Sequence, residues 1–410
     1  MSSRAAFRLL PVLALAAAVG GCGRDQRPPN LLLVVVDTLR ADRLGIYGYD
    51  RRPTSPTLDA FAAEALVVEG LTASSSWTLP SMATLFTGRE PAAHGVMRMA
   101  GEAARLAEAT PTLARVLAAA GWTTGCVQTN FLLQRSWGTG LDRGFAWYDD
   151  SLIGPEAHRG STAAAAADRA LQWLGRQDRD RPWFLAVQFF DPHIAYEDHP
   201  EYGFEDPAYD GWVRGGLGGR ELRDRLDRLS PADREQLGAF YDEEVRAVDD
   251  ALGRLLAELR RRPDWDDTLV VVTADHGEEL GERGWVGHTR TLHGELIDLP
   301  LIVRLPGGEG AGRRLRGRLP LSGLAATLLD LLGVPPDRLA GDSFAGFLRG
   351  GPAPAAAVAA EVDFVPALAE NEDKRVRLRA LIRGGHKLIV EPGGRRWLFD
   401  LAEDPGELQD

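Results

Sequence analysis

Two apolar segments of the chain end in side chains that can bind a metal ion. Residues 31–36 form a continuous run rich in Leu and Val that stops at Asp37, and residues 269–273 form a second run that leads to Asp275 and His276. Short apolar runs without alternation are typical of strands buried on both faces. Because ligands bind at the carboxyl ends of strands in open α/β sheets, Asp37 stands where a ligand is expected.

A turn with several hydroxyl groups lies between these two runs in the sequence. Residues 76–82, SWTLPSM, are predicted to lead from a turn into a helix. A carboxylate, a hydroxyl and an Asp-His pair at the ends of strands or helices together suit one divalent metal ion beside a nucleophile. The alternative for Asp37 alone is a turn aspartate that caps residues 38–40. The three stretches together favour the metal site.

Strands and helices alternate along most of the sequence, which argues for a mostly parallel sheet covered by helices on both faces. Further strands are predicted at residues 122–129, 184–190 and 301–305, and helices at 56–68, 80–87, 161–177, 324–332 and about 230–262. The helix at 56–68 is predicted because Pro56 suits a first turn and apolar residues follow on one side. Near the C-terminus, residues 387–390 and 396–400 flank a Pro-Gly-Gly turn and predict a hairpin.

Five motifs occur in order along the chain. They are VVVDTLRADRLGIYGYDRRPTSPTLD, SSSWTLPSMATLFTG, DPHIAY, YDEEVRAVD and VTADHGEELGERGWVGH. Together they resemble the sulfatase family of the alkaline-phosphatase superfamily, and the resemblance extends from about Asn30 to the C-terminus. It implies an alkaline-phosphatase-like fold: a mostly parallel central sheet sandwiched by helices, with a small C-terminal antiparallel subdomain.

The resemblance also implies one divalent metal ion, held by Asp37, Thr78, Asp275 and His276. Sulfatases carry Asp-Asp at the first of these positions and usually Asp-Asn at the second, where this chain has Thr38 and His276 as the second residues. Thr38 cannot supply the missing carboxylate charge, and two carboxylates with an imidazole suit Mn²⁺, Mg²⁺ or Zn²⁺. These three ions are therefore favoured over Ca²⁺.

The position of the family's nucleophile departs from the sulfatase pattern. Sulfatases carry Cys or Ser in a Cys/Ser-x-Pro-x-Arg motif, and this residue is oxidised to formylglycine. The matching residues here are Thr78, Pro80 and Met82, so the aldehyde cannot form and the Arg is absent. Thr78 is expected to act as the nucleophile itself, beside a helix N-terminus whose N–H groups favour an anionic ester. The alternative is a helix N-cap threonine without a chemical role.

Four other residues are candidates for contact with the substrate. The family's sulfate-binding Lys and His are absent, and Asn130, which lies between their positions, is expected to donate a hydrogen bond to an ester oxygen. His193 and His288 match substrate-side positions and are candidate proton donors to the leaving alkoxide; the alternative for each is a solvated loop histidine. Arg40 is a candidate ligand for a substrate anion, with pairing to the acidic surface as the alternative.

The composition limits the classes of partner. With 410 residues the chain can bury a large core, and 59 acidic against 47 basic residues give a net charge of −12. No basic run interleaves with aromatic residues, so nucleic acid is not an expected partner.

The N-terminus has the features of an export signal. Two arginines, Arg4 and Arg8, precede an apolar run at residues 9–19 that is too short to span a bilayer, and two glycines and Cys22 follow. This pattern resembles a bacterial lipoprotein signal. It implies cleavage before Cys22, lipidation of its thiol, and a protein anchored to a membrane of the cell envelope on the periplasmic face. The alternative is an ordinary signal peptide in which Cys22 is incidental.

These observations divide the chain into four parts: a lipoprotein signal peptide (1–21), a tether (22–29), a sulfatase-like catalytic α/β domain (30–335) and a small C-terminal subdomain (336–410). The predicted function is metal-dependent hydrolysis of a small-molecule, glycan or lipid ester, with phosphodiesters or phosphonates preferred to sulfate esters. The alternatives are a true sulfatase, a phosphoglycerol- or phosphoethanolamine-type transferase, and a lipid-anchored binding protein without turnover.

The lipid anchor can be tested by replacing its attachment residue. Cys22→Ser removes the only thiol that the signal offers, so we expect acyl labelling to disappear and the protein to leave the membrane fraction. Fractionation and metabolic labelling measure both effects. Unchanged membrane association of the variant would contradict the prediction.

Overall fold

The structure is a computed structural model, and it describes residues 27–99, 101–154, 162–178, 180–365 and 375–410. Its strands are β1 Asn30–Val36, β2 Leu66–Thr72, β3 Thr123–Gln128, β4 Trp147–Asp149, β5 Trp183–Phe189, β6 Thr268–Ala274, β7 Glu279–Leu280, β8 Val286–Gly287, β9 Asp298–Arg304, β10 Arg314–Pro320, β11 Val358–Phe364, β12 Val376–Arg383, β13 His386–Val390 and β14 Arg396–Asp400. Its α-helices are α1 Pro56–Phe61, α2 Thr78–Thr87, α3 Pro91–His94, α4 Leu113–Ala119, α5 Ala163–Leu174, α6 Gly219–Arg223, α7 Pro231–Arg260, α8 Gly294–Ile297, α9 Leu324–Leu331 and α10 Ala345–Leu348.

Eight strands form the central sheet, in the order β10-β2-β9-β6-β1-β5-β3-β4. Only β9 runs against the others, because it pairs antiparallel with both β6 and β2 while the other pairings are parallel. All seven residues of β1 and of β6 are buried, as expected for strands covered by helices on both faces. The predicted fold class, a mostly parallel sheet sandwiched by helices, is confirmed.

The middle of this sheet brings the two metal-binding segments together. Strand β1 lies between β5 and β6, and Val36, its last residue, pairs in register with Ala274, the last residue of β6. Asp37 and Asp275 therefore leave neighbouring strands at the same edge of the sheet. This is the edge where ligands bind in α/β folds.

The predicted helix at residues 56–68 is wrong in its second half. Helix α1 ends at Phe61, and Leu66–Thr72 is β2, which lies inside the central sheet between β9 and β10. Leu66, Val67 and Val68 are all buried, so the side chains that seemed to continue a helical stripe fill both faces of the sheet instead. Two adjacent β-branched valines favour that conformation.

The C-terminal part of the chain forms a second sheet of four antiparallel strands, in the order β11-β12-β13-β14. The predicted hairpin is its last pair, with Lys387 opposite Phe399 in register. The predicted signal peptide and Cys22 lie outside the described residues. Within the described part of the chain, no helix is both long and apolar enough to cross a membrane.

The longest helix among the described residues, α7, fixes the turn that follows β1 and the start of α1. The hydroxyl of Tyr241 donates to the Thr38 carbonyl at 2.7 Å and accepts from the Arg40 amide at 3.0 Å, so it fixes the backbone that follows Asp37. Asp249 accepts from the amides of Thr57 and Leu58 at 2.7 and 2.9 Å and thereby caps the start of α1.

This interhelical cap should contribute measurably to stability. Asp249→Ala leaves two amides at the start of α1 without their acceptor, so we expect the free energy of unfolding to fall by about 1–3 kcal/mol. Urea denaturation of the purified protein measures the change. Glu258→Ala, on the exposed side of the same helix, is the matched control and should change stability by less than about 0.5 kcal/mol. Equal effects of the two substitutions would contradict the assignment.

Candidate active site

Three predicted metal ligands converge at the end of β1 and β6. One ligand atom each from Asp37, Asp275 and His276 lies within 4.8 Å of the other two. The Nε2 atom of His276 is 3.6 Å from Asp37 Oδ1 and 3.5 Å from Asp275 Oδ2. The Nδ1 atom of His276 lies 2.9 Å from the Gly277 carbonyl, which fixes Nδ1 as the protonated nitrogen and leaves the Nε2 lone pair for a metal.

The carboxylates of this cluster are fully buried and incompletely satisfied. Within the described residues, Asp37 Oδ1 and Asp275 Oδ2 have no hydrogen-bond partner. Burial raises the pKa of Asp275 to about 7, and burial together with the charge of Asp275 raises the pKa of Asp37 well above its usual value. Buried carboxylate oxygens that face each other without donors suit a divalent cation, so the residues fit the metal ion that the sequence implies.

Thr78 lies beside this cluster as the first residue of α2. Its Oγ1 atom is 3.3 Å from His276 Nε2, and the side chain is buried. The residue at the N-cap position is Trp77, so Thr78 does not cap the helix with its own hydroxyl. Every residue of α2 is buried, so packing on all sides of the helix holds Thr78 in its position. The structure thus places the predicted nucleophile next to the predicted metal ligands.

Asn130 contacts the cluster itself, through Asp37. Its Nδ2 atom donates to Asp37 Oδ2 at 2.5 Å and lies 3.4 Å from Thr78 Oγ1. Gln188, on β5, donates to the same Asp37 oxygen at 3.0 Å. The two side-chain amides donate to Oδ2 of Asp37, and Oδ1 of Asp37 is the oxygen that faces His276. Sequence reasoning missed Gln188, although a single polar residue within an apolar strand run was a usable signal.

A group of histidines lies on one side of the cluster. The rings of His276 and His288 are 4.6 Å apart between centroids, and those of His288 and His193 are 4.9 Å apart. Burial lowers the pKa of His193 and of His288 to about 3, so both imidazoles are neutral at neutral pH. The structure therefore brings together the two histidines predicted to transfer protons, and both residues are half-buried.

Glu278 orients His288 and was missed by sequence reasoning. Its Oε1 atom lies 2.7 Å from His288 Nδ1, which donates to it, and the carboxyl group is fully buried. Burial raises the pKa of Glu278 to about 7. A buried carboxylate on Nδ1 fixes the tautomer with an unprotonated Nε2 and stabilises the imidazolium if that nitrogen gains a proton.

Arg40 lies close to the site but is taken up by protein carboxylates. Its guanidinium donates to Asp42 at 2.7 and 2.8 Å, to Glu282 at 2.5 Å and to the Glu278 carbonyl at 3.0 Å, and the residue is buried. In the structure Arg40 therefore pairs with acidic groups of the protein, which was the alternative to binding a substrate anion. Its role is to join the loop after Asp37 to the loop after Asp275.

The fold and the site together are those of a hydrolase of the alkaline-phosphatase type, with a candidate metal site at the ends of β1 and β6. The sulfatase family model matches residues 29–334, so the chain belongs to the sulfatase family. Membership of this family makes it a hydrolase that acts on ester bonds.

Comparison with known proteins shows relatives of two kinds. The chain is 23% identical to an N-acetylglucosamine-6-O-sulfatase of Bacteroides thetaiotaomicron, over 82% of this chain and 73% of that protein. It is 28% identical to an N-acetylgalactosamine-6-sulfatase of Canis lupus familiaris, over 80% and 67% of the two chains. The fold is similar to the crystal structure of the phosphonate monoester hydrolase of Agrobacterium radiobacter, with a TM-score of 0.75, 25% identity, and 93% and 91% of the two chains covered.

The metal site predicts the behaviour of one substitution. His276→Ala removes a buried ligand without placing a new group in the core, so we expect bound divalent metal and activity to be lost together while the circular dichroism spectrum stays unchanged. Chelation of the wild-type protein should likewise abolish activity. Metal analysis and rate measurements test both points, with His386→Ala on the exposed C-terminal sheet as the control. Activity that survives chelation would refute the site.

Proposed function

We propose that this enzyme hydrolyses phosphorus esters, namely phosphodiesters or phosphonate monoesters, through a covalent ester on Thr78. The observation that carries the proposal is the position of Thr78 Oγ1, 3.3 Å from the His276 nitrogen that faces both carboxylates. The two metal-binding carboxylates, the imidazole and the hydroxyl occupy one buried site. This arrangement places a nucleophile beside a metal site whose positive charge would offset the negative charge of the ester.

The reaction has two displacements at phosphorus. In the first, the Thr78 oxygen forms a bond to phosphorus and the bond to the leaving alkoxide breaks. The proton that leaves Thr78 passes to the alkoxide by way of a neutral imidazole, for which His193 and His288 are the candidates. Asp37, Asp275 and His276 would hold a divalent ion, and this ion would supply a Lewis acid that favours the deprotonated hydroxyl and offsets the charge of the ester.

The second displacement returns the enzyme to its starting state. A water oxygen forms a bond to phosphorus, the bond to Thr78 breaks, and the proton of the water returns to the Thr78 oxygen. His288 suits the relay of this proton, because Glu278 holds its Nδ1–H and stabilises the positive charge that the ring acquires for a moment. No proton is gained or lost over the cycle beyond those of the water consumed.

The preference for phosphorus follows from the chemistry of the nucleophile. In the family's sulfatases, formylglycine expels sulfate by collapse of a hemiacetal, so sulfur is not attacked a second time. The Cβ of Thr78 carries only one oxygen, and its ester must be cleaved by attack on phosphorus or sulfur itself. Enzymes achieve this for phosphoryl groups by positioning and electrostatic stabilisation.

A true sulfatase remains the second candidate, and one observation favours it. Two relatives that align over about four fifths of this chain are named as sulfatases. A sulfate monoester and a phosphodiester each carry one negative charge, so a single pocket accommodates either. The phosphonate monoester hydrolase of similar fold, by contrast, supports the proposal of a phosphorus ester.

We also propose that the enzyme works at the cell envelope, tethered to a membrane by lipid on Cys22 and exposed on the periplasmic face. The support is the signal-like sequence before Cys22. Substrates encountered there include small-molecule, glycan and lipid esters.

Substrate preference and nucleophile are tested in one set of rate measurements. We expect an aryl phosphodiester to be turned over faster than the matching aryl sulfate. Thr78→Ala should lower the rate by a factor on the order of 10⁴ or more, because the covalent step is lost, and Thr78→Ser should retain part of the activity. Thr87→Ala, at the other end of α2, is the matched control and should leave activity within about threefold.

Two results would count against the proposal. Faster turnover of the aryl sulfate would favour the sulfatase alternative. A Thr78→Ala protein as active as the wild type would exclude a threonine nucleophile.

A further inference from the structure

Apart from the candidate active site, a cleft of about 300 Å³ opens between the loop that follows His288 and the C-terminal sheet. Four arginines and one carboxylate supply the charged groups of its lining: Arg290, Arg375, Arg377, Arg395 and Glu391. In a chain with a net charge of −12, this cleft is a local reversal of charge. A concave site lined by several positively charged side chains concentrates anions.

Residues that flank the cleft contact the turn before Thr78. The Thr289 amide donates to the Ser76 carbonyl at 3.1 Å, which ties the loop of the cleft to the turn before Thr78. On the other side, the ring of Phe364, at the end of β11, packs edge-on against Trp77 with 5.3 Å between centroids. Thr289, which precedes Arg290, and Phe364, which pairs with Val376, thus connect the flanks of the cleft to residues next to Thr78.

Among the described residues, one carboxylate pairs with several arginines at the edge of the cleft. Arg375 and Arg377 both pair with Asp363, at 2.6 and 3.7 Å, and Arg98 pairs with the same carboxylate at 3.3 Å. Within the described part of the chain, Arg290 and Arg395 form no ion pair. Arg290 and Arg395 are therefore the arginines of the cleft at which an external anion is expected to bind.

The two arginines without an ion pair are oriented by aromatic rings. The guanidinium of Arg290 lies 4.2 Å from the ring centroid of Trp285, and that of Arg395 lies 4.6 Å from the ring centroid of Trp397. Stacking restrains a guanidinium and leaves the N–H groups on its edge able to donate to an oxyanion. An arginine that is already oriented loses less entropy when it binds an anion.

We propose that this cleft is an anion subsite that binds a second negatively charged group of the substrate while the scissile ester lies at Thr78. The inference rests on the proposed ester hydrolase and narrows its substrate class to esters with at least two anionic groups. The second group is a sulfate, a phosphate or a carboxylate, since the edge of a guanidinium binds each of these through paired oxygens.

The test separates binding in the cleft from catalysis. Sucrose octasulfate and inositol hexakisphosphate serve as polyanionic probes, one with sulfate and one with phosphate groups, and calorimetry measures their Kd. The test variant is Arg290→Gln with Arg395→Gln. The matched control is Arg338→Gln with Arg383→Gln, two exposed arginines outside the cleft that also form no ion pair within the described residues. Circular dichroism verifies that all variants fold.

We expect the Kd of at least one probe to rise fivefold or more in the cleft variant and to stay within twofold in the control. The kcat/KM of a simple monoanionic aryl ester should stay within twofold in both. A rise of less than fivefold for both probes would overturn the proposal, as would a parallel loss of kcat/KM for the simple ester. The probe whose affinity falls more identifies the anion that the cleft prefers.

This experiment does not depend on which ester the enzyme prefers. Binding of the probes needs no turnover, and the kinetic arm uses whichever of the aryl phosphodiester and the aryl sulfate reacts faster. Faster sulfate turnover would end the phosphorus-ester proposal and leave the subsite intact. An unchanged probe affinity would end the subsite and leave the reaction intact.

Discussion

The architecture of this enzyme depends on two buried carboxylates held side by side. Asp37 and Asp275 follow strands that pair in register at the centre of the sheet, and both side chains are almost completely inaccessible to water. Two like charges about 4–5 Å apart repel by on the order of 4 kcal/mol at an effective dielectric constant of 20. A cation between them, or a proton on one of them, removes this cost. The folded protein therefore favours binding of a cation or a proton at this position.

The neighbours of the pair decide where that charge can lie. Asn130 and Gln188 occupy Oδ2 of Asp37, and the backbone amides of Thr38 and His276 donate to Oδ1 of Asp275 at 3.4 and 2.9 Å. Each carboxylate is thus left with one oxygen that points into the space beside the His276 imidazole. Thr38 holds a left-handed backbone conformation, φ 54°, at this turn, and strain of this kind persists only where its surroundings enforce it.

How much of this could be predicted depends on whether a feature is local. Apolar runs that lead to Asp37 and Asp275 are local patterns, and they predicted both strands and the residues that converge at the candidate metal site. Which strands become neighbours is a property of the topology, so the contacts of Gln188 and Glu278 could not be derived from spacing. Residues 66–68 were misassigned because a short apolar run fits a helix or a buried strand equally well. Arg40 was ambiguous for a related reason: only the folded chain shows which carboxylates reach it.

The charges of the site also bear on the choice among esters. Family positions that carry Arg and Lys in sulfatases hold Met82 and Thr129 here, and the side chains that contact Thr78 Oγ1, Asn130 and His276, are neutral. A divalent ion at this site would be balanced by the two carboxylates, and among the described residues no cationic side chain is hydrogen-bonded to Thr78 Oγ1. A second negative charge on the reacting ester would therefore lack a cationic side chain at Thr78. This charge balance supports the proposed preference for esters with one negative charge at Thr78, and the arginine-lined cleft is the proposed site for a second anion of the substrate.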